Sequence, residues 1–140
     1  MKNLKKLATL LLVAIITLFA VSCVTPSSYV VKSEDSVKII ADKDYMTLDG
    51  IKLIDYMQAL KEDGVLDYTV ESGMITSING KANAVDYTSC WMLYTDDAEL
   101  SNTAWGTVEL DGKTYASAIS GAEELTLKDG ATYVWVYMTF

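Results

Sequence analysis

Two cysteines and a large set of carboxylates are the side chains of this 140-residue chain that could do chemistry. Cys90 could act as a thiol nucleophile, but the chain contains no histidine to take its proton. The chain also lacks arginine, the usual bidentate clamp for carboxylate and phosphate groups. The standard parts of serine-triad hydrolysis, zinc chemistry and most phosphoryl transfer are therefore missing. We expect Cys90 to be a small buried strand residue.

The acidic residues could instead hold a metal ion or flank a scissile bond. Residues 95–99 (TDDAE) carry three carboxylates of the kind that Ca²⁺ accepts, but the Asp-x-Asp-x-Asp-Gly spacing of a calcium loop is absent. The pairs Asp96-Asp97 and Glu123-Glu124 could serve as glycosidase carboxylates, but nothing in the sequence places them across an aromatic cleft. We therefore predict a solvated acidic loop, no metal site and no enzyme.

The first 23 residues have the layout of an export signal. Three lysines precede an apolar run over residues 7–21, and the run ends in Ala20-Val21-Ser22-Cys23. This ending resembles the lipobox of bacterial lipoproteins, in which the cysteine is diacylated and becomes the first residue of the mature chain. We predict a signal peptide over 1–22, lipidation of Cys23, and an extracytoplasmic protein anchored to the bacterial cell membrane or outer membrane.

Two alternatives to this interpretation stay open. One is an ordinary secretory signal followed by a chance cysteine. The other is an uncleaved membrane span, although the apolar run of 15 residues is shorter than the ~20 that a bilayer requires.

Charge excludes one class of partner. The part of the chain that follows residue 22 carries 8 lysines and 19 acids, which is a net charge of −11. Such an acidic protein has no affinity for phosphate backbones, so we expect no nucleic-acid partner. The 118 residues left when 22 are removed from 140 suffice for one domain with a substantial core.

The remaining sequence predicts a tether followed by one folded domain. Residues 23–35 comprise the cysteine and a short linker that holds the only proline, several serines and three charges. The domain spans 36–140. Apolar spacing of three and four residues predicts a helix over 50–62 with Asp49 as its N-cap. Alternation and turn residues predict strands over 37–41, 45–48, 66–71, 74–78, 90–95, 105–110, 113–118 and 132–140.

The order of these elements is that of a β-grasp fold. The last strand is apolar on both faces and should lie inside the sheet. We predict an α+β fold, a β-grasp-like mixed sheet with one covering helix, in which residues 37–41 pair in parallel with 134–138. Tyr133 and Trp135 share one face of the last strand and Val134 the other. We expect the helix to cover the aliphatic face.

Four aromatic residues are the candidate ligand contacts: Trp91, Tyr94, Trp105 and Tyr115. Amphipathic rings of this kind can stack on a flat ligand, a glycan or a peptide. They can equally be core residues and cross-strand pairs of the sheet. If these aromatic side chains form a cluster that is partly exposed to solvent, we expect that cluster to be the ligand site.

Three segments carry a resemblance to a known family. They are 73–80 (GMITSING), 91–95 (WMLYT), and 127–137 (LKDGATYVWVY) with Gly121 before it. Together they resemble the transcobalamin-like C-terminal domain, a domain of unknown function in many bacterial secreted proteins and lipoproteins, and the resemblance covers roughly residues 36–140. It implies a β-grasp-like fold. In the animal cobalamin carriers this domain closes over one face of cobalamin, so the resemblance implies cobalamin, a corrinoid or another flat small molecule as the ligand.

Two functions follow as expectations. The first is a membrane-anchored accessory domain that binds such a ligand, which predicts an exposed groove lined by Trp91, Trp105 or Tyr115. The second is a cell-surface protein-interaction or adhesion module with an envelope protein as partner and no small-molecule ligand. This second function predicts an exposed sheet edge or aromatic patch and no deep pocket.

Overall fold

The computed structural model describes residues 25–140, so Cys23 and the predicted signal peptide lie outside the described residues. Within 25–140 the chain forms an α+β fold of nine strands and one α-helix, preceded by one turn of 3-10 helix over Pro26–Tyr29. The elements are β1 Val30–Lys32, β2 Ser36–Ile40, α1 Leu53–Glu62, β3 Tyr68–Glu71, β4 Met74–Ile78, β5 Lys81–Ala82, β6 Ser89–Thr95, β7 Ser101–Leu110, β8 Lys113–Ala118 and β9 Thr132–Thr139. No helix among these residues is long and apolar enough to cross a bilayer.

The strands form two antiparallel sheets. The larger has the order β1-β2-β9-β6-β8-β7 and the smaller the order β3-β4-β5. β9 lies between β2 and β6, which confirms the interior position that its apolar sequence predicts. β7 lies at one end of the larger sheet, and no strand of the described chain pairs with its outer edge.

The predicted parallel pairing of residues 37–41 with 134–138 is wrong. β2 and β9 are neighbours, but they run antiparallel, with Val37 opposite Trp135. The reason lies in the hairpin that β2 joins. Residues 45–48 form the end of a turn and irregular backbone instead of a return strand, and β2 pairs with the earlier β1. β2 is thus the second strand of its hairpin and not the first. Its direction relative to β9 is therefore the reverse of the predicted one, and the larger sheet is antiparallel rather than mixed.

Residues 26–32 fall within the segment predicted as a tether, and in the structure they pack on the domain. Tyr29 and Val30 are buried, and Val30 lies opposite Ile39 in the β1–β2 pair. The Tyr29 ring centroid is 5.3 Å from that of Tyr45. The apolar run that begins at Tyr29 is long enough to add an edge strand, although the serines and proline around it are typical of a linker.

The helix begins three residues later than predicted. Lys52 is its N-cap in place of Asp49, because the Asp55 carboxylate accepts a 3.0 Å hydrogen bond from the Lys52 N–H. The predicted stop is confirmed: the helix ends at Glu62, and Gly64 follows with a φ of 73°. The stripe that faces the core is fully buried and consists of Leu53, Tyr56, Met57 and Leu60.

The helix covers the aromatic face of β9, so the predicted choice of the aliphatic face is wrong. Tyr133 and Trp135 share one core cluster with the helix stripe and with Ile78 of the smaller sheet. Val134 packs on the opposite side of the sheet. The space on the helix side is bounded by both α1 and the smaller sheet, and the long rings fill it. Tyr133 reaches through it to accept a 3.1 Å hydrogen bond from the Lys128 N–H.

Candidate functional site

The structure does not bring the four candidate aromatic residues together. Trp91, Tyr94 and Tyr115 are buried, whereas Trp105 is 63% exposed. Trp91 belongs to the main core on the helix side. Tyr94 and Tyr115 pack together with Val134 on the other side of the larger sheet. Trp105 is therefore the one member of the set that is open to a partner.

Trp91 is fixed by contacts to the smaller sheet and its following loop. Its indole Nε1 donates to the backbone oxygen of Lys81 over 2.7 Å, and its backbone N–H donates to Asn83 Oδ1 over 2.9 Å. Its ring meets that of Tyr137 edge to face, with centroids 5.3 Å apart. These contacts use both N–H groups of Trp91, so neither is free to donate to a ligand.

Tyr115 lies beneath two lysines on the β7–β8 side of the sheet. The Nζ atoms of Lys38 and Lys113 stand 5.9 and 5.4 Å from the ring centroid. Each lysine also pairs with a carboxylate: Lys38 with Asp111 at 2.6 Å and Lys113 with Asp96 at 2.5 Å. The hydrogen bond that Lys38 donates to the Asp111 carboxylate raises the pKa of Lys38. The lysines therefore cover the Tyr94–Tyr115 cluster and separate it from solvent.

Trp105 projects from an irregularity in the edge strand β7. Asn102 lies opposite Ser117, and the next paired residue of β7, Thr107, lies opposite Ala116. The four residues 103–106 therefore have no counterpart in β8 and arch away from it. Asn102 Oδ1 accepts a 3.0 Å hydrogen bond from the Ala104 N–H within the arch, and Gly106 completes it at a φ of 123° that favours glycine.

The last four residues of β7 form a regular ladder whose outer side is open. Leu110 and Lys113 flank the two-residue turn Asp111-Gly112 and close the hairpin with β8. Opposed residues of an antiparallel pair alternate between hydrogen-bonded and non-bonded pairs. Leu110 and Val108 thus bond to β8, whereas the N–H and C=O groups of Thr107 and Glu109 point to the free edge.

A cavity of 240 Å³ lies where β6 and β8 separate. β6 pairs with β9 along its whole length, but with β8 only through Tyr94 and Thr95. Beyond those residues β8 turns away and leaves a gap, which residues 73–75 at the start of β4 cover. The lining consists of residues 73–75, 91–93, 117–118, 120–122 and Trp135, none of which is charged.

Trp135 is a cavity-lining residue that the sequence analysis did not select. It lines the cavity, it is buried, and its indole Nε1 has no hydrogen-bond partner among the described residues. Its neighbour across the β9–β6 pair is Leu93, which lines the same cavity. The alternation of Tyr133, Trp135 and Tyr137 placed this ring on one face of the strand, but no sequence pattern indicates which donors lack an acceptor.

The acidic loop is less solvated than predicted. It borders an open cleft of 520 Å³ together with residues 128–131. Asp97 is 7% exposed, and its Oδ1 accepts a hydrogen bond from the Glu99 N–H. Asp96 accepts from the Thr132 N–H and pairs with Lys113. These carboxylates are engaged in holding the loop, and within residues 25–140 no group of three histidine, cysteine or acidic side chains that could hold a metal ion is assembled.

Comparisons with known proteins leave the function to be argued from geometry. No protein-family model matches this chain, no curated protein matches it, and no solved structure matches it. The resemblance to the transcobalamin-like domain therefore stays a prediction from the sequence.

Proposed function

We propose that this protein is a membrane-tethered, non-catalytic interaction module of the bacterial cell envelope, which binds an extended segment of another envelope protein along the free edge of β7. The observation that carries the proposal is the exposure of Trp105 on an arch of that edge strand. An exposed tryptophan on an unpaired sheet edge combines a residue type enriched at binding hot spots with a strand to which a partner strand can be added.

Trp105 has the properties of an interface anchor. Tryptophan is among the residue types most enriched at binding hot spots, because it buries a large area with few rotatable bonds. The residues beside it in the arch are small, namely Ala104 and Gly106. The ring is therefore accessible from several directions and can enter a pocket on a partner.

The backbone next to the arch supplies a second recognition element. A partner strand could pair with the outward N–H and C=O groups of Thr107 and Glu109, which is strand addition to a sheet edge. Natural proteins block such edges with lysine, proline or inward-pointing charge. β7 contains no lysine and no proline, and Glu109 is its one charged residue. The arch interrupts the edge at residues 103–106 but leaves residues 107–110 regular.

The tether rests on the sequence of the leader. Acylation of Cys23 would hold the domain at a membrane, since each buried methylene contributes about 0.8 kcal/mol. The net charge of −11 after residue 22 would keep the domain away from anionic headgroups, so that β7 stays accessible. Cobalamin or corrinoid binding through Trp91, Tyr94, Trp105 and Tyr115 stays a prediction from the family resemblance.

The experiment is cross-linking on intact cells that express single-site variants. Glu109→Pro removes an outward N–H, and a proline is tolerated in an edge strand at such a position. Glu109→Ala is its matched control, because it removes the same charge and keeps the N–H. Trp105→Ala removes the anchor, and Tyr87→Ala, at a residue that is 60% exposed elsewhere, controls for loss of any surface ring.

We expect one cross-linked protein species with the wild type, with Glu109→Ala and with Tyr87→Ala. The same species should be lost with Trp105→Ala and weakened at least several-fold with Glu109→Pro. Equal yields from all five proteins would refute a role for the β7 edge. Loss with Glu109→Ala and Glu109→Pro alike would point to the carboxylate instead of strand addition.

A further inference from the structure

We propose that Cys90, Met92 and Met138 bind one monovalent copper ion on the face of the larger sheet that points away from α1. The three side chains carry one thiol and two thioethers, which are the soft ligands that select Cu⁺. The inference does not depend on the function proposed for β7. It rests on the strand register, on one distance between sulfur atoms and on the charge of the ligand set.

The register of β6 and β9 brings the three side chains to one patch of the sheet. Cys90 and Met92 are two residues apart on β6, so both leave the same face. Met138 of β9 lies directly opposite Cys90 in the antiparallel pair, and opposed residues have Cβ atoms ~4.5–5.5 Å apart on one face. Met92 packs against the cluster that contains Val134. The patch therefore lies on the side of the sheet that α1 does not cover.

The sulfur atoms of Cys90 and Met92 stand at nearly the separation of two ligands of one metal ion. Cys90 Sγ is 3.7 Å from Met92 Sδ. Metal–sulfur bonds of ~2.3 Å that meet at ~110–120° hold two sulfur atoms about 3.8–4.0 Å apart. A Cu⁺ ion can therefore bridge these two atoms with little movement of either side chain. The unbranched Met138 side chain is flexible enough to bring its sulfur to the third position.

The sulfur ligands are accessible to an ion from solvent. Cys90 takes no part in a disulfide and is half-buried, as are Met92 and Met138. Cys90 therefore lies closer to solvent than its sequence predicts. Histidine, cysteine and acidic side chains form no group of three in residues 25–140, so only the two thioethers can complete a ligand set around this thiol.

The charge of the ligand set favours Cu⁺ over Zn²⁺. Binding replaces the proton of the Cys90 thiol by the metal ion and releases that proton to solvent. With Cu⁺ the bound site is neutral, because one thiolate balances one positive charge. Zn²⁺ would leave one uncompensated positive charge on a half-buried surface. Zinc sites also take thiolate, imidazole and carboxylate ligands, whereas two of the three ligands here are thioethers.

The test uses the full chain with Cys23→Ser, purified in mild detergent, so that Cys90 is the one thiol present. Cu⁺ is titrated without oxygen in competition with the chromophoric chelator bathocuproine disulfonate, and the methionine methyl groups are followed by ¹H–¹³C NMR. Cys90→Ala, Met92→Leu and Met138→Leu each remove one sulfur, and leucine is close to methionine in volume. Met74→Leu, at a methionine that is 50% exposed on β4, is the matched control.

We expect each chain to bind a single Cu⁺, with shifts of the Met92 and Met138 methyl resonances and no shift for the fully buried Met57. Cys90→Ala should weaken binding by at least ~100-fold, because even a group that only orients a ligand contributes roughly 10–100-fold to metal affinity. Met92→Leu and Met138→Leu should each weaken it by at least ~10-fold. Met74→Leu should leave the affinity unchanged.

Three results would overturn the proposal. The first is a Met92 or Met138 methyl resonance that does not move when Cu⁺ is added to the chain that keeps all three sulfur ligands, a measurement that does not depend on the folding of any ligand variant. The second is the same Cu⁺ affinity for Met92→Leu, Met138→Leu and Met74→Leu, since the thiol would then bind without the thioethers. The third is displacement of Cu⁺ by an equal concentration of Zn²⁺.

Discussion

Trp91 Nε1 donates a 2.7 Å hydrogen bond to the backbone oxygen of Lys81, and this contact joins the larger sheet to the smaller one. The Nζ atom of Lys81 stands 4.3 Å from the centroid of the Tyr137 ring, which itself packs edge to face on Trp91. The Tyr137 hydroxyl donates to the backbone oxygen of Ala82. Strands β5, β6 and β9 are thus connected by side chain to backbone contacts as well as by packing.

Replacement of Trp91 by phenylalanine should therefore destabilise the fold by about 2–4 kcal/mol, through loss of the hydrogen bond and of part of the buried ring. The midpoint of urea unfolding followed by circular dichroism measures this. Trp105→Phe is the matched control and should change the free energy of unfolding by less than about 0.5 kcal/mol. Similar midpoints for the two variants would mean that the Trp91 contact contributes nothing.

Tyr115→Ala should cost about 3–5 kcal/mol, since it empties the centre of the cluster on the second face of the sheet. Loss of the Tyr115 ring should also make the β7–β8 hairpin more sensitive to proteolysis, because Lys38 and Lys113 pack over this ring and would lose that contact. Lys38→Met keeps an apolar stem over the ring but removes the charge, and it should cost less than about 1 kcal/mol. A mild effect of Tyr115→Ala would contradict the burial of this ring.

The tyrosines of the core make stability depend on alkaline pH. Burial, opposed by the hydrogen bond from the Asp42 N–H, raises the pKa of Tyr56 to about 12. Its unfolded pKa is ~10, so the folded state holds the proton more tightly. The stability that results is complete below pH ~10 and is lost as the pH rises towards ~12, by on the order of 2 kcal/mol.

Urea unfolding at pH 8 and pH 11 measures this loss. Tyr56→Phe should lower the stability at pH 8 by about 1 kcal/mol, because the hydroxyl donates to the Ile40 oxygen over 2.9 Å. The same variant should lose less stability than the wild type between the two pH values. If the wild type and Tyr56→Phe fall by the same amount, Tyr56 does not contribute to the alkaline transition.

Alanine substitutions at two glycines can show whether backbone strain, rather than lack of room for a side chain, determines the loss of stability. Gly80 has a φ of 83° and would meet no atom within 4 Å through an added Cβ, so Gly80→Ala is a test of conformation alone. We expect it to cost about 1–2 kcal/mol. Gly121 has an ordinary φ, and an added Cβ would lie 3.9 Å from the Gly73 oxygen. Gly121→Ala should be neutral or stabilising by up to about 1 kcal/mol. Equal effects would show that φ does not decide the outcome at Gly80.

Cys23→Ser tests the anchor. The variant should leave the membrane fraction in unacylated form, because serine cannot carry the thioether-linked lipid. Fractionation and intact mass spectrometry measure both outcomes. Cys90→Ser is the control for a general effect of cysteine loss and should stay with the membrane. Retention of Cys23→Ser in the membrane would favour an uncleaved span over residues 7–21.

Local elements of the fold were predictable because their signals are local. Asn79-Gly80 and Asp111-Gly112 have the positive φ values that their turns require, and the strands on either side of each turn are present. The direction of β2 was not predictable in this way, since its apolar pattern is the same in both orientations. That direction depends on the pairing with β1, whose sequence is typical of a linker.

The candidate site was predictable only in part. Composition and alternation identified Trp91, Trp105 and Trp135 as rings on strands, but exposure depends on which elements pack above each ring. The arch that exposes Trp105 is a mismatch between β7 and β8, and the cavity beside Trp135 is a separation of β8 from β6. Both features are properties of strand pairing, and a single sequence does not report them.

The interior place of β9 has a consequence for how the domain is made. β9 follows every other strand of the described chain, yet β2 and β6 both have it as their neighbour. The β1–β2 part of the larger sheet has no direct pairing with the β6–β8–β7 part. The sheet therefore becomes continuous only when Thr132–Thr139 inserts between them, and we expect this non-local pairing to limit the rate of folding.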